Sequence, residues 1–562
     1  MARLPDFDWR RAADWLHRDA RDDFFPDPFR YHDIHAHFSA YAAGTQRNKM
    51  LQYGQDPHSR LQVPKVNHLH RDAVWLGPQF RLVYLALLAE LIPEIAPRSE
   101  ASCYSYRLKS DRGSVLRYPF NTAETVAAWL RFHNGFRRML AEGRRWGAVT
   151  DLTAFYEHIA VDRLIGCLRS LTTADRSEIV DPCFDILEKA LLWASHNGTG
   201  IPQNLDPSSF FCSAMLTEID RHMSSKRGVQ YLRYVDDIRI VTKTKGEAVD
   251  ALGDLQSHLR QAGFFLNSAK TELLEPGSSR WNDVLDAGLD VEVAAIDAAL
   301  GSSQEAVLRA CIPRAIAGLD RSIESGDGRM TRAFGNRLKK LSEFPSLFEQ
   351  CAPKLVSAGV RQLAVAPESA DTWARFVATD SSSVEHELAE LLTNPDQNRH
   401  QWSNMWVIFA LAQAPTLSST TLGLLRSIAA DEKDLMARSW ALLAIGRHGD
   451  NVDRARIARE YLGNASSPLP VRRAAMIAVQ ELTASERDRA YGHCARSEPR
   501  LQALVDYIQK HDAPHYDWHT HVRRGFSERL DIETAMEASG FGFVGGEPVE
   551  FSINADLEDG YG

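Results

Sequence analysis

Residues 231–241 read YLRYVDDIRIV, an acidic pair set between two apolar runs that are rich in β-branched residues. Such runs on either side of a short polar segment are typical of a β-hairpin, so the sequence predicts a hairpin with Asp236 and Asp237 at its turn. Adjacent carboxylates repel each other, and a divalent cation would offset that repulsion. The alternative interpretation is a surface turn with two solvated aspartates.

A further carboxylate follows an apolar run upstream. Residues 146–159 read WGAVTDLTAFYEHI, which predicts a short strand that ends at Asp151 and a helix that begins a few residues later. The end of a strand can lie beside the hairpin tip of an antiparallel neighbour. Three carboxylates that meet there would form an oxygen-ligand site for two Mg²⁺ ions about 4 Å apart. Phosphoryl transfer depends on such positioning and charge stabilisation and needs little covalent chemistry.

Between these two segments, residues 200–211 read GIPQNLDPSSFF. The Asp206-Pro207 pair predicts the start of a helix, with Asp206 as the N-cap and Pro207 at the first helical position. The loop before it is expected to expose its backbone and the amide of Gln203, where a base or a sugar could rest. Taken alone, the segment predicts only a loop and a capped helix.

In this order, the motifs resemble the successive palm motifs of reverse transcriptases. The matching residues are Asp151, Phe155-Tyr156, Gly200-x-Pro202-Gln203, Tyr234-x-Asp236-Asp237 and Leu266-Asn267-x-x-Lys270-Thr271. Upstream residues resemble the fingers strands of that family and the segment after them, namely Pro64-Lys65, Arg71, Arg81 and Tyr104-Ser105-Tyr106-Arg107. The resemblance covers roughly residues 60 to 275.

The resemblance implies roles for particular side chains. Asp151, Asp236 and Asp237 match the catalytic carboxylates that bind the two Mg²⁺ ions. Tyr156 matches the aromatic steric gate that excludes a ribose 2′-hydroxyl, which favours deoxynucleotides. Lys270 matches a lysine that protonates the departing pyrophosphate, although a plain ion pair explains a lysine there equally well.

Other residues match contacts with the incoming nucleotide. Lys65 and Arg71 match cations of the fingers that hold the triphosphate, and Gln203 and Leu152 match residues beside the incoming nucleotide. Asn204 is a departure, because many members of the family carry Gly after the Pro-Gln pair. Asn adopts positive φ more readily than most residues, so the loop is expected to keep its conformation, and the change bears on template handling.

The composition is that of a globular protein with several domains. The chain has 562 residues and a mass of 63.0 kDa, with 44% hydrophobic and 25% charged residues. Its longest apolar run, residues 82–89, is too short to span a membrane, and the charged amino terminus does not resemble a secretory signal. We therefore expect a cytoplasmic protein. The seven scattered cysteines contain no Cys-x-x-Cys pair, which argues against a disulfide framework or a structural zinc site.

The charge is distributed unevenly along the chain. The formal net charge is -9, but residues 60–145 contain 14 Lys and Arg against 7 Asp and Glu. A basic segment within an acidic protein indicates one cationic surface with a phosphate-rich partner, and a solvated charged face is the alternative.

The second half of the chain has a helical pattern with a weak internal repeat. The segments that begin at Trp406, Trp440 and Ala474 align with steps of 34 residues, which favours stacked helical hairpins over an irregular bundle. The predicted fold is therefore α+β, with reverse transcriptase-like fingers and palm followed by an all-α, HEAT-like repeat domain. The predicted divisions are an extension at 1–59, fingers and palm at 60–280, a connecting region in place of a thumb at 281–400, helical repeats at 401–512 and a tail at 513–562.

This architecture resembles the bacterial abortive-infection and other defence-associated reverse transcriptases. The resemblance implies an RNA-directed or template-independent DNA polymerase that uses deoxynucleoside triphosphates, makes DNA on an RNA template or without one, and can be primed by a protein hydroxyl. It further implies a homo-oligomer with no membrane partner and a role in antiphage defence. One alternative is a catalytically silent scaffold whose repeats bind a phage or host protein, and another is an RNA polymerase. The sequence does not specify the template, the primer, the trigger or the role of the tail.

Overall fold

The structure is a computed structural model. It describes residues 7–19, 24–38, 58–64, 69–106, 122–143, 145–172, 177–286, 291–302, 304–325, 328–338, 344, 347, 385–394, 400–430, 433–510, 514 and 516.

The described chain begins with two helices and a hairpin. The elements up to residue 95 are α1 (Trp9–Asp19), α2 (His32–Ala36), β1 (His58–Pro64), β2 (His70–Leu76) and α3 (Pro78–Ile95). Strands β1 and β2 pair antiparallel in the region where the fingers strands were predicted. Arg71 lies on β2, whereas Lys65 lies outside the described residues. Helix α3 is buried along most of its length, and α1 packs against it.

A four-stranded antiparallel sheet forms the centre of the palm. The elements from residue 122 to residue 286 are α4 (Thr122–Ala141), β3 (Trp146–Thr150), α5 (Val161–Ser170), α6 (Ser177–Ala194), α7 (Asp206–Met215), α8 (Thr217–Ser225), β4 (Gln230–Tyr234), β5 (Asp237–Thr242), α9 (Lys245–Ala262), β6 (Glu272–Leu274) and α10 (Ser279–Asp286). The strand order is β4-β5-β3-β6. Helices α4, α8 and α9 pack against this sheet.

Helix α9 shows how local sequence sets the bounds of an element. Thr244 and Glu247 form a capping box, in which each side chain accepts a hydrogen bond from the backbone N–H of the other residue. Gly263 ends the helix with a φ of 88°, a conformation that glycine adopts without strain. Between these caps, Ala251, Leu255 and Leu259 are buried in the palm core.

Helices alone follow the palm in the described residues. They are α11 (Val291–Ser302), α12 (Glu305–Glu324), α13 (Gly328–Leu338), α14 (Glu385–Thr393), α15 (Gln401–Gln413), α16 (Ser419–Ala430), α17 (Leu435–His448), α18 (Asn451–Ile457) with a π-helical turn at Ala458–Leu462, α19 (Leu469–Ala478), α20 (Ala484–Ser497) and α21 (Gln502–Gln509). Helices α15, α17 and α19 begin 34 residues apart, and each packs on the next. The predicted repeat of stacked hairpins is therefore confirmed.

The repeat helices pack through buried aromatic and small residues. Trp406 and Trp440 are each 1% exposed, and the ring centroids of Phe409 and Trp440 are 4.8 Å apart. A Cβ atom at Gly446 would lie 2.4 Å from the backbone of Ala478, so glycine is required for the close approach of α17 and α19. These contacts bury the apolar stripe that no single hairpin can cover.

The amino-terminal segment and the fingers hairpin both contact the repeats. Arg473 of α19 is buried and donates to the carboxylates of Asp27 and Asp33 over distances between 2.6 and 3.2 Å. Strand β1 packs against α15, and Trp75 of β2 belongs to the same hydrophobic cluster as the repeat helices. The predicted segments 1–59 and 401–512 are thus joined by direct contacts.

The α+β fold class with a helical carboxyl-terminal region is confirmed. Within the described ranges, no helix has the length and apolar character needed to cross a bilayer. The six cysteines that the structure describes are free thiols.

Candidate active site

The hairpin of β4 and β5 closes through a two-residue turn. Tyr234 pairs with Asp237, so Val235 and Asp236 form the turn and Asp237 begins β5. The predicted hairpin is therefore confirmed, but its turn lies one residue earlier than predicted, because Asp237 already pairs in the ladder. Val235 has a φ of 52°, a left-handed conformation that is strained for a β-branched residue. Surrounding contacts must hold this turn in place.

Asp151 lies beside that turn. It follows the last residue of β3, Thr150, which is paired with Ile238 of β5. Because the two strands are antiparallel, Asp151, the residue after Thr150, lies opposite Asp237. The Cα atoms of residues opposite each other in such a pair are about 5 Å apart. The N–H of Asn267 donates to the carbonyl of Asp151 at 2.9 Å and fixes the chain on the other side. The backbone therefore brings Asp151 to the hairpin tip, as predicted.

Two of the three carboxyl groups, those of Asp236 and Asp151, lie in an environment that opposes their ionisation. Burial, reinforced by the adjacent Asp237, raises the pKa of Asp236 to about 7. Burial also raises the pKa of Asp151, while Lys270 acts in the opposite direction. The side chain of Asp237 is 41% exposed and lies 3.4 Å from the guanidinium of Arg239. The chain itself leaves the negative charge only partly compensated.

Lys270 is the cation closest to this cluster. Its Nζ donates to Asp151 Oδ2 at 2.7 Å. Burial lowers the pKa of Lys270, but Asp151, together with Asp236 and Asp237, outweighs that effect and raises it. The ion pair that the sequence left as one explanation is therefore present. The same ammonium is held in its protonated form beside the carboxylates, where a proton donor would be needed.

The donor set fits a divalent cation. Oδ1 of Asp151 is buried and has no hydrogen-bond partner among the described residues, which is costly for a carboxylate. With Asp236 and Asp237 it supplies the oxygen ligands that Mg²⁺ prefers. The ligand atoms of the three residues do not all lie within 4.8 Å of one another. Repulsion between the carboxylates acts to keep them apart.

A buried polar network, which sequence reasoning missed, holds the turn. Arg233 donates to both carboxylate oxygens of Asp220, at 2.7 and 2.6 Å, and to the carbonyl of Val235 at 2.8 Å. The Val235 N–H donates to Ser105 Oγ at 2.8 Å. Both backbone groups of the strained residue are therefore paired with fixed side chains. The sequence did contain a signal for this network. Arg233 lies within an otherwise apolar strand, and a buried arginine needs a buried acidic partner.

Tyr156 stands on a 3₁₀ turn, Phe155–His158, that follows Asp151. Its hydroxyl is 2.8 Å from Ser209 Oγ on α7, and burial raises its pKa well above the ordinary value. The ring is therefore anchored at its far end as well as at its backbone. A ring fixed in this way has the rigidity that a steric gate requires, and its role as a gate stays a prediction.

Gln203 is more enclosed than the sequence indicated. It is 9% exposed, and its Nε2 donates to Glu157 Oε1 at 3.3 Å and to the carbonyl of Asp72 at 3.5 Å. The expectation of an exposed amide is wrong, because the fingers strand β2 covers this loop. Asn204 has a φ of 58°, which is the left-handed conformation that Asn was expected to adopt in this loop.

The remaining predicted contacts have different positions. The Leu152 side chain is 3% exposed in the palm core, and its backbone forms a bridge with Leu266, so any contact with a nucleotide would come from its backbone. The guanidinium of Arg71 lies 5.7 Å from the ring centroid of Phe24. Lys65 is outside the described residues. The triphosphate roles of Arg71 and Lys65 stay predictions.

The predicted cap of α7 is wrong by one residue. Leu205 is the N-cap, and Asp206 is the first residue of the helix, followed by Pro207. The reason is a partner distant in sequence, because the Asp206 N–H donates to Asp19 Oδ1 at 2.9 Å. The Asp206 carboxylate accepts a hydrogen bond from the hydroxyl of Tyr106 at 3.1 Å.

Comparison with known proteins assigns this region to a class. Residues 117–291, which contain the three aspartates, match the family described as reverse transcriptase (RNA-dependent DNA polymerase). This segment is therefore a reverse transcriptase domain. A comparison with curated proteins found no match.

Solved structures of telomerase resemble the chain distantly. Apo telomerase from Candida tropicalis truncated from the C-terminal domain is 13% identical, with a TM-score of 0.26 over 41% of this chain and 54% of that one. Telomerase from Candida albicans in complex with a fragment of telomeric RNA is 14% identical, with a TM-score of 0.30 over 60% of this chain and 64% of that one. The chain thus spans about half to two thirds of the length of these structures. At such identities and TM-scores, the likeness says nothing about what this chain binds.

Proposed function

We propose that this chain is a DNA polymerase that adds deoxynucleotides to a 3′-hydroxyl with the help of two Mg²⁺ ions. The observation that carries the proposal is the position of Asp151 beside the Asp236–Asp237 turn, with a buried and unpartnered oxygen on Asp151. Carboxylates gathered without sufficient counter-charge weaken a fold, so a site of this kind points to a bound ion.

The charged residues of the site each have a part in the proposed reaction. Asp151, Asp236 and Asp237 would hold the ions, and Lys270 would give its proton to the departing pyrophosphate. What bound Mg²⁺ supplies is a lower pKa for the attacking hydroxyl and neutralisation of charge on the phosphates. The Val235 turn keeps the two hairpin carboxylates in a fixed relation to Asp151, which reduces the reorganisation needed in the transition state.

The proposal is tested with purified, nuclease-free protein. Labelled deoxynucleoside triphosphates and Mg²⁺ are supplied with a primed RNA template in one reaction and without any nucleic acid in another. Product that resists RNase and is degraded by DNase supports the proposal in either reaction. Absence of product from both, with well-folded protein and with Mn²⁺ also tried, would contradict it.

Finer aspects of the function rest on the resemblance of a palm followed by helical repeats to defence-associated reverse transcriptases. We propose on that basis a cytoplasmic role in antiphage defence and a homo-oligomeric state. Synthesis would be RNA-directed or independent of a template, and a protein hydroxyl could serve as the primer. The stacked hairpins of α15 to α20 support this proposal, because they supply the second half of that architecture.

Replacing Tyr156 with Ala is expected to reduce discrimination against ribonucleotides by about 10- to 200-fold. This is the discrimination that a binding pocket usually achieves against one small added group on a substrate. The ring fills the space that a 2′-hydroxyl would need, and Ser209 fixes its position. Competition between dATP and ATP in single-turnover incorporation measures the effect. Tyr156→Phe keeps the ring and should retain most of the discrimination. Equal sugar selectivity in wild type and Tyr156→Ala would contradict the steric role.

Replacing Ser105 with Ala is expected to slow DNA synthesis by about 10-fold while changing stability by only about 1 kcal/mol. The substitution removes the acceptor of the Val235 N–H and so loosens the strained turn that contains Val235 and Asp236. The concentration of Mg²⁺ that gives half-maximal rate should rise, an effect that simple destabilisation would not produce. An unchanged Mg²⁺ dependence would show that Ser105 does not position the turn.

A further inference from the structure

A second cluster of metal-binding residue types lies between two palm helices. His222 is on α8, and Asp254 and His258 are on α9. Among the described residues, this is the group of three His, Cys, Asp or Glu side chains whose ligand atoms all lie within 4.8 Å of one another. Their side chains are 37%, 26% and 34% exposed, so the cluster is open to solvent.

The hydrogen bonds of the cluster indicate which nitrogen atoms can bind. His258 Nδ1 is 2.9 Å from the backbone carbonyl of Asp254, and a carbonyl can only accept, so Nδ1 donates to it and Nε2 is the ring nitrogen left to bind a metal ion. A ring N–H held by a backbone carbonyl is the usual support of a metal-binding histidine. His222 Nε2 is 2.7 Å from Asp254 Oδ2, and a metal ion would replace its proton.

The two imidazole rings are stacked on each other. Their centroids are 3.8 Å apart and their planes differ by 25°. Because a metal ion lies in the plane of each imidazole that binds it, the two rings have to rotate about their side-chain bonds to reach one ion, and their partly exposed positions permit that.

We propose that His222, Asp254 and His258 bind one Zn²⁺ ion, with water as the fourth ligand. Two imidazole nitrogens and one carboxylate oxygen suit a tetrahedral zinc site, whereas Mg²⁺ prefers oxygen ligands alone. Binding replaces waters of the hydrated ion with two Zn–N bonds and one Zn–O bond, and the proton of His222 Nε2 passes to solvent while Nδ1 of the same ring takes one up, so that the ring binds as an imidazole. The ammonium of Lys226, which pairs with Asp254, has to withdraw, and its flexible four-carbon chain permits that.

The ion would join the helices that flank the catalytic hairpin. Helix α8 packs on β4, and α9 packs on β5 and β3. An ion bound only by the folded chain stabilises that chain in proportion to its concentration. The site shares no residue with the carboxylate cluster, so it does not depend on the proposed polymerase function.

The test uses full-length, untagged protein that has been stripped of metal and then placed in excess Mg²⁺, which fills oxygen sites. Titration with Zn²⁺ should show one tight site and a rise in the thermal unfolding midpoint. His258→Ala should weaken that site about 100-fold, given the share of one ligand in zinc binding. His196→Ala, which changes an exposed histidine elsewhere, is the matched control and should bind as the wild type does.

The variant Lys226→Ala distinguishes a metal site from a cluster that only holds the two helices together. Removal of the competing ammonium should tighten Zn²⁺ binding by about 10-fold, because Asp254 no longer has to exchange partners. Three results would overturn the proposal: no tight Zn²⁺ site in the wild type, the same affinity in His258→Ala, or weaker binding in Lys226→Ala. Far-UV circular dichroism of each variant ensures that the compared proteins are folded.

Discussion

Asp236→Asn is expected to abolish DNA synthesis, with a loss of at least about 1000-fold, in a protein that folds as well as the wild type or better. The amide keeps the size of the side chain but cannot carry the charge that a divalent cation requires. Because burial raises the pKa of Asp236 to about 7, its ionised form opposes folding at higher pH. Removing that charge should therefore leave the thermal unfolding midpoint unchanged or raised.

The two measurements together separate chemistry from folding. Single-turnover incorporation is compared for the wild type, Asp236→Asn and the control Asp250→Asn, which changes an exposed aspartate of α9. The control should be as active as the wild type. Activity within 10-fold of the wild type in Asp236→Asn would contradict the assigned role, whatever its stability.

Arg473→Met is expected to destabilise the protein by about 3–5 kcal/mol, the usual cost of removing one partner from a buried ion pair. The guanidinium is the shared partner of Asp27 and Asp33, whose side chains are 8% and 1% exposed. Methionine is of similar length but leaves both carboxylates buried without a counter-charge. The amino-terminal segment should detach from α19 before the palm unfolds.

Arg169→Met is the matched control. Arg169 also pairs with two aspartates, Asp181 and Asp185, but these are 54% and 62% exposed. Solvent screens that interaction, so the expected change is at most about 1 kcal/mol. Chemical denaturation and limited proteolysis after residue 38 measure both variants. Equal stability of the two would show that Arg473 does not hold the segment in place.

The catalytic hairpin and the repeats could be predicted because both depend on local patterns. The apolar runs on either side of the acidic pair specify two strands and a turn, and the apolar run before Asp151 specifies the neighbouring strand. The 34-residue step from Trp406 to Trp440 fixes the phase of α15 and α17. In each case, residues close in sequence carry the information.

The failures concern contacts between distant segments. Asp19 supplies the partner that moves the start of α7, and β2 covers Gln203, although neither lies near its target in sequence. Ser105 holds Val235 across 130 residues, and Arg473 reaches Asp33 across 440. Propensity and periodicity depend on residues that are close in sequence. Contacts between distant segments therefore leave no pattern in the sequence other than a charged residue in an apolar segment.

The most direct test of the account is the position of divalent cations in crystals grown with Mn²⁺ and a non-hydrolysable deoxynucleoside triphosphate. Anomalous scattering locates Mn²⁺ without reference to the protein chain. We predict anomalous peaks within coordination distance of the carboxylates of Asp151, Asp236 and Asp237. Mn²⁺ bound elsewhere, with Asp151 still paired only with Lys270, would contradict the proposed polymerase site.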